Sequence, residues 1–128
     1  MKLRIRGNSL RLRLTRSEVD RFKTQGRVDD AISFGPNDEE RLAYSLVAWE
    51  SAHAVSARFH QNTITVIVPT SIAQQWTGSE DVGFSAEQSV PGSEPLSLLV
   101  EKDFQCLHER PGEDESDAYP NPALDSTD

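Results

Sequence analysis

Residues 1–14, MKLRIRGNSLRLRL, constrain this chain more than any other stretch. Leu3, Ile5, Leu10, Leu12 and Leu14 alternate with Lys2, Arg4, Arg6, Arg11 and Arg13. A period of two is the signature of a strand with one face buried. Gly7-Asn8 divides the run into two strands of a hairpin, because Gly supplies the positive φ of a two-residue turn. Such a turn sets Arg6 opposite Ser9, Ile5 opposite Leu10, Arg4 opposite Arg11, Leu3 opposite Leu12 and Lys2 opposite Arg13. One face is then apolar and the other carries five cations. Like charges directly opposite each other destabilise a sheet, so something negative is expected to answer them.

The other bounds are broad. A chain of 128 residues suits one domain with a real core. No apolar run approaches the roughly 18 residues of a membrane span. The basic start alternates instead of leading into an apolar block, so it does not read as a signal peptide. Cys106 is the single cysteine, which leaves no internal disulfide and fits a reducing cytoplasm. The net charge of −8 conceals an asymmetry. Residues 1–27 hold nine Lys and Arg against Glu18 and Asp20, a balance of +7, leaving −15 for the rest. Glu109, Glu113, Asp114, Glu115, Asp117, Asp125 and Asp128 against Arg110 place −6 of that in the last twenty residues. The distribution keeps an anionic partner open where the whole-chain charge argues against one.

Beyond the hairpin, Thr15 and Glu18 have capping-box spacing, with Leu14 and Val19 placed as a hydrophobic staple. Val19 and Phe22 form a short stripe, and Gly26 is a stop. Val28 to Phe34 reads as a strand, Gly35-Pro36-Asn37-Asp38 as a turn, and Arg41 to Trp49 as a well-covered strand. Shifted by 54, the pattern restarts. Asn8-Ser9-Leu10 falls on Asn62-Thr63-Ile64, Leu12 and Leu14 on Val66 and Val68, Phe22 on Trp76, Val28 on Val82, Leu42 on Leu96, and Leu46 on Val100. The phase holds without a gap, which points to an internal duplication. The second copy spans about 54–60, 63–69, 70–77, 82–89 and 95–104, with Thr70 or Ser71 capping its helix. The expected fold is α+β, (ββαββ) twice, with eight mostly antiparallel strands. They would form a barrel or half-barrel, or a two-layer stack, with two short helices. The domain is expected over 1–106, in halves of about 1–52 and 53–106. Residues 107–128, acidic and Pro-containing, read as an extended or disordered tail with Tyr119 and Leu124 as anchors.

The cationic face is the leading functional feature. Lys2, Arg4, Arg6, Arg11 and Arg13 are expected to be joined by Arg58 and His60 from the equivalent strand, with Ser56, Thr63 and Thr65 as polar neighbours. Guanidinium groups grip phosphate or carboxylate bidentately, so the set suits a multiply charged anion. The competing reading is a solvated strand face paired with the chain's own acids, Glu87, Glu101, Asp103 or the tail. Glu101 and Asp103, two apart on the last strand, could hold Mg²⁺ or form salt bridges. Asp103, Cys106, His108 and Glu109 match no usual zinc spacing. His53 reads as a turn residue, and Trp49 and Trp76 as core. No phosphate loop, dinucleotide fingerprint or nucleophile elbow is present.

The opening MKLRIRGNSLRLRLTRSEV and the later LLVEKDFQCLHERPGEDESDAYPNP resemble the start and end of a small family of uncharacterised bacterial proteins. That resemblance implies a bacterial, cytoplasmic protein and supplies no activity. A duplicated antiparallel barrel with a charged lumen is, in architecture alone, similar to the CYTH, or triphosphate-tunnel, fold. Those enzymes bind triphosphate with lumenal Arg and Lys and hold metal with acidic residues. Their signature is Glu-x-Glu-x-Lys on the first strand, where this chain has Lys2-Leu3-Arg4-Ile5-Arg6. The expected function is therefore binding of a phosphorylated or polyanionic ligand, with the acidic tail able to mask the face. No cofactor is expected, and neither nucleic acid nor membrane is the expected partner. The alternatives are a divergent phosphohydrolase using Glu101 and Asp103 for Mg²⁺, and a protein-interaction module.

Overall fold

Lys2–Arg6 and Ser9–Leu14 form β1 and β2, an antiparallel hairpin in the register that the alternation demands, with Arg4 opposite Arg11 and Lys2 opposite Arg13. Gly7 turns the corner at φ 55°, a left-handed conformation that costs glycine little. The computed structural model describes residues 1–104. The readings of residues 107–128 as a tail anchored by Tyr119 and Leu124, and of Cys106, His108 and Glu109 as partners of Asp103, lie outside the described residues.

Helix α1, Arg16–Gln25, starts on the capping box of Thr15 and Glu18 and stops at Gly26, φ 71°. Strand β3 is Arg27–Ser33, β4 is Arg41–Trp49, β5 is Ser56–His60 and β6 is Thr63–Pro69. Helix α2, Thr70–Thr77, is entered from Pro69 without a side-chain cap, so neither Thr70 nor Ser71 caps it. Strands β7, Gly83–Gln88, and β8, Leu96–Lys102, complete the set.

The strands make two four-stranded mixed sheets, β1-β2-β8-β7 and β3-β4-β6-β5. The halves are interleaved. Each sheet takes one hairpin from each half and joins them through a central parallel pair, β2·β8 or β4·β6. The shift of 54 holds in the pairing itself: Leu10 faces Leu98, and 54 residues on and back Ile64 faces Tyr44. Strand β7 departs from it. Asp29 faces Ser45, and Ser85 faces Leu99, so β7 sits 56 residues after β3. The counterpart of buried Val28 is Phe84, packed on the core, and the expected Val82 is exposed. Two extra residues between α2 and β7 cause the slip.

The sheets do not close into a barrel. The core between them is filled by Leu10, Leu12, Leu14, Leu46, Val66, Val68, Leu98 and Val100, with Phe22 and Trp76 from the helices edge-to-face at 6.1 Å. With side chains filling the interior, no lumen remains for the cations, which lie outside. Across one seam, the side-chain amide of Gln88 replaces the missing ladder: Nε2 donates to the Ala57 carbonyl at 3.0 Å, and Oε1 accepts from the Ala57 N–H at 2.7 Å. Across the other, Tyr44 Oη donates to the Met1 carbonyl at 3.0 Å. Trp76 is core as expected, but Trp49 is half exposed, because the alternation of β4 points it to the outer face of its sheet. No helix among the described residues is long and apolar enough to cross a membrane.

Candidate cationic site on the first sheet

Alternation puts Lys2, Arg4 and Arg6 of β1 and Arg11 and Arg13 of β2 on the outer face of the first sheet, while Leu10, Leu12 and Leu14 fill the core. The parallel neighbour β8 brings Glu101 opposite Arg13 and Leu99 opposite Arg11. Acids answer the facing cations. Glu101 accepts from Arg13 Nε at 2.5 Å and lies 3.6 Å from an Arg11 terminal nitrogen. Asp103, one residue past the end of β8, meets Lys2 Nζ at 2.8 Å. The ion pairs around Glu101 are largely covered, with side-chain exposures of 13–17%. Gly83 makes room for this cluster: a Cβ there would stand 2.9 Å from the Glu101 Cβ and collide with the Val100 carbonyl.

Toward the hairpin turn the face is hollowed into a groove of about 450 Å³ that crosses all four strands. Arg4, Arg6 and Arg11 border it, with Ser9, Ser85, Ser97, Leu99 and Glu87. Ser9 Oγ donates to the Arg6 carbonyl at 2.6 Å and fixes the turn end of β1. Three guanidinium groups beside hydroxyls offer forked donors to phosphate or carboxylate oxygens. Sequence reasoning missed Ser85, Ser97 and Leu99, because only the parallel pairing of β2 with β8 brings them there. No local pattern signals a partner some ninety residues away.

Arg58 and His60 do not join this face. They lie on β5, an edge strand of the second sheet, with Ser56 beside them and Thr63 and Thr65 on the neighbouring β6. The shift of 54 in the pairing puts the outer faces of the two sheets in correspondence, so their residues can be compared position by position. Arg58 and His60 stand where the first sheet has Arg4 and Arg6, and Ser56 where it has Lys2. On the inner strands, Thr65 replaces Arg11, Ile67 replaces Arg13 and Val47 replaces Glu101; Val47 faces Ile67 as Glu101 faces Arg13. The second face instead carries Asp29, held by Arg27 Nε at 2.9 Å and by Ser45 Oγ at 2.5 Å. Burial pushes the Asp29 carboxyl up, but these two donors outweigh it and hold it below the usual carboxylate range.

As a metal pair, Glu101 and Asp103 are already engaged by Arg13, Arg11 and Lys2, and a divalent ion there would have to displace them. Among the described residues no group of three or more His, Cys, Asp or Glu is placed to hold a metal ion. No curated protein and no solved structure matches the chain, and the likeness to triphosphate-tunnel enzymes is not shown. A family model does match, over residues 1–123, and the chain belongs to that family, DUF7009, a family of unknown function.

Proposed function

We propose that the protein binds a small phosphorylated or otherwise polyanionic molecule in the groove over the first sheet. Arg11 is the central donor, and Arg4 and Arg6 close from the edge. The contrast between the two equivalent outer faces carries this reading. Cations on the edge strands β1 and β5 have an ordinary explanation, since charged side chains discourage edge-to-edge pairing. Arg11 and Arg13 have no such explanation. They sit on an inner strand, and the equivalent inner strand does the same structural work with Thr65 and Ile67. Two guanidinium groups on an inner strand, opposite two more cations, cost stability that Glu101 and Asp103 offset; the equivalent strand avoids the whole arrangement, and a ligand that needs the guanidinium groups would account for keeping it. The phosphohydrolase reading has no observation in its favour, because Glu101 and Asp103 are spent on the arginines and the lysine.

The test is thermal stability in inorganic triphosphate. At ten times Kd, binding adds about 1.4 kcal/mol, or several degrees of Tm at this size. The shift should disappear in Arg4→Ala/Arg11→Ala and shrink steeply in 0.5 M NaCl. It should persist in Arg58→Ala/His60→Ala, the equivalent edge of the second sheet. Retention of the shift in Arg4→Ala/Arg11→Ala would move the site off this face.

A further inference from the structure

We propose that the ligand of the groove is a sugar phosphate, its phosphate held over β1 and β2 and its sugar ring lying across β8 and β7. The phosphate end rests on the ligand reading above, and the sugar end on the half of the groove without arginines. Register gives the groove its shape. Two rows of outward side chains cross the sheet, Arg4-Arg11-Leu99-Ser85 and Arg6-Ser9-Ser97-Glu87. Leu10, Leu98 and Ala86, whose side chains turn into the core, floor the space between the rows.

The two halves differ in chemistry. Every cation of the groove lies on β1 or β2. On β8 and β7 the same rows carry half-buried Leu99 and Ser97, then exposed Ser85 and Glu87. An anion long enough to run the whole groove meets a carboxylate at its far end, so a polyphosphate matches only one half. A molecule that is anionic at one end and hydroxylated at the other matches both. Ionised Glu87 only accepts hydrogen bonds, while Ser85 and Ser97 both donate and accept, and sugar hydroxyls satisfy all three. Between the guanidinium groups and these hydroxyls stands Leu99, an aliphatic seat for the C–H face of a sugar ring. Along one row, Arg11, Leu99 and Ser85 follow at strand spacings of about 4.8 Å, in the order phosphate, ring, hydroxyl. None of the described lining residues is aromatic, so the groove lacks a stacking platform for a base. The second sheet again supplies the contrast. Ser45 stands there in place of Leu99, Ala43 in place of Ser97 and, allowing for the slip of β7, Ala31 in place of Glu87. Glu87 taken alone has the ordinary role of an edge charge. Leu99, turned outward on an inner strand, does not.

The test is calorimetric titration of the full chain at low ionic strength with inorganic phosphate, butyl phosphate, glucose 6-phosphate, adenosine monophosphate and inorganic triphosphate. Glucose 6-phosphate should bind about tenfold tighter than inorganic or butyl phosphate, the worth of a hydrogen bond to a charged group, and tighter than the nucleotide. E87A/L99S, which copies Ala31 and Ser45, should erase that preference. It should also bind triphosphate about twofold tighter, because a carboxylate has left the groove. E87Q, isosteric and exposed, should lose part of the preference. Equal affinity for glucose 6-phosphate and inorganic phosphate, with triphosphate still bound through Arg4 and Arg11, would overturn the sugar assignment and leave the ligand reading standing. Binding of none of the five would remove both. A preference retained in both E87A/L99S and E87Q would overturn the placement of the ring on β8 and β7. Loss of triphosphate together with glucose 6-phosphate in E87A/L99S would mean that these residues only shape the groove, and would overturn it too. Tighter binding of adenosine monophosphate than of glucose 6-phosphate would make the ligand a nucleotide and overturn the sugar phosphate.

Discussion

Glu101 answers two arginines at once, and the other sheet shows what the fold does without that arrangement. Removing Glu101 alone leaves Arg11 and Arg13, both largely covered, without their shared carboxylate. Losing the carboxylate that two covered guanidinium groups share is costly, so Glu101→Ala should lower unfolding free energy by about 1–3 kcal/mol in urea titrations. The triple variant R11T/R13I/E101V copies Thr65, Ile67 and Val47 from the equivalent face. Replacing an ion-pair cluster by a packed apolar pair of similar volume is commonly neutral or stabilising. The triple should therefore unfold within about 1 kcal/mol of the wild type or above it, while losing the response to triphosphate. A triple variant as unstable as Glu101→Ala would show that the charges are structural. Gly83→Ala acts at the same spot, driving a methyl into the Val100 carbonyl and the Glu101 stem. Backbone must shift to admit it, at a cost of about 1–3 kcal/mol.

Among the elements, the seam and the first helix carry the sharpest consequences. Gln88 serves Ala57 as a strand neighbour would, donating with one end of its amide and accepting with the other. Gln88→Glu keeps the acceptor but sets a carboxylate against the Ala57 carbonyl. It should destabilise by about 1–3 kcal/mol and speed hydrogen exchange at Ala57. Unchanged exchange there would mean that the seam is held by packing alone. Helix α1 begins where the Met1 ammonium sits between Glu18 and Asp30. Burial raises the Glu18 pKa, but bonds from the ammonium and from the Thr15 N–H and hydroxyl outweigh it, leaving the pKa lowered. A lowered folded-state value stabilises fully above the unfolded glutamate pKa of about 4.3. The gain is lost as pH falls through the folded value. Glu18→Gln should flatten the acid limb of the urea midpoint between pH 7 and 3, and an unaltered limb would assign that limb to other carboxylates. The capping box that brings Glu18 to this position was legible in Thr15-Arg16-Ser17-Glu18, because capping is a local event. The seam was not, since nothing near Gln88 in the chain names Ala57.

At the scale of the molecule, the same division separates what could be read from what could not. The cationic row, the element order and the shift of 54 follow from local pattern, and they survive in the structure, the shift everywhere but in β7. The exchange of hairpins between the halves is a choice of partner, and it carried Arg58 and His60 to the wrong sheet for the expected site. That exchange also governs how the protein comes apart. Residues 1–54 contain both members of β1-β2 and of β3-β4, but each hairpin has its inner parallel neighbour, β8 or β6, in the other half. Phe22 packs on Trp76 across the same division. Neither half can cover the apolar faces of its own hairpins, and isolated hairpins are marginal in water. Unfolding should therefore be a single transition, with far-UV circular dichroism and Trp76 emission coincident in urea. The fragment 1–54 should be unfolded as a monomer, gaining structure only where two copies associate to rebuild both central parallel pairs. Two separated transitions in the full chain, or a folded monomeric fragment in sedimentation and circular dichroism, would mean that the repeats are autonomous and that the interleaving adds nothing to stability.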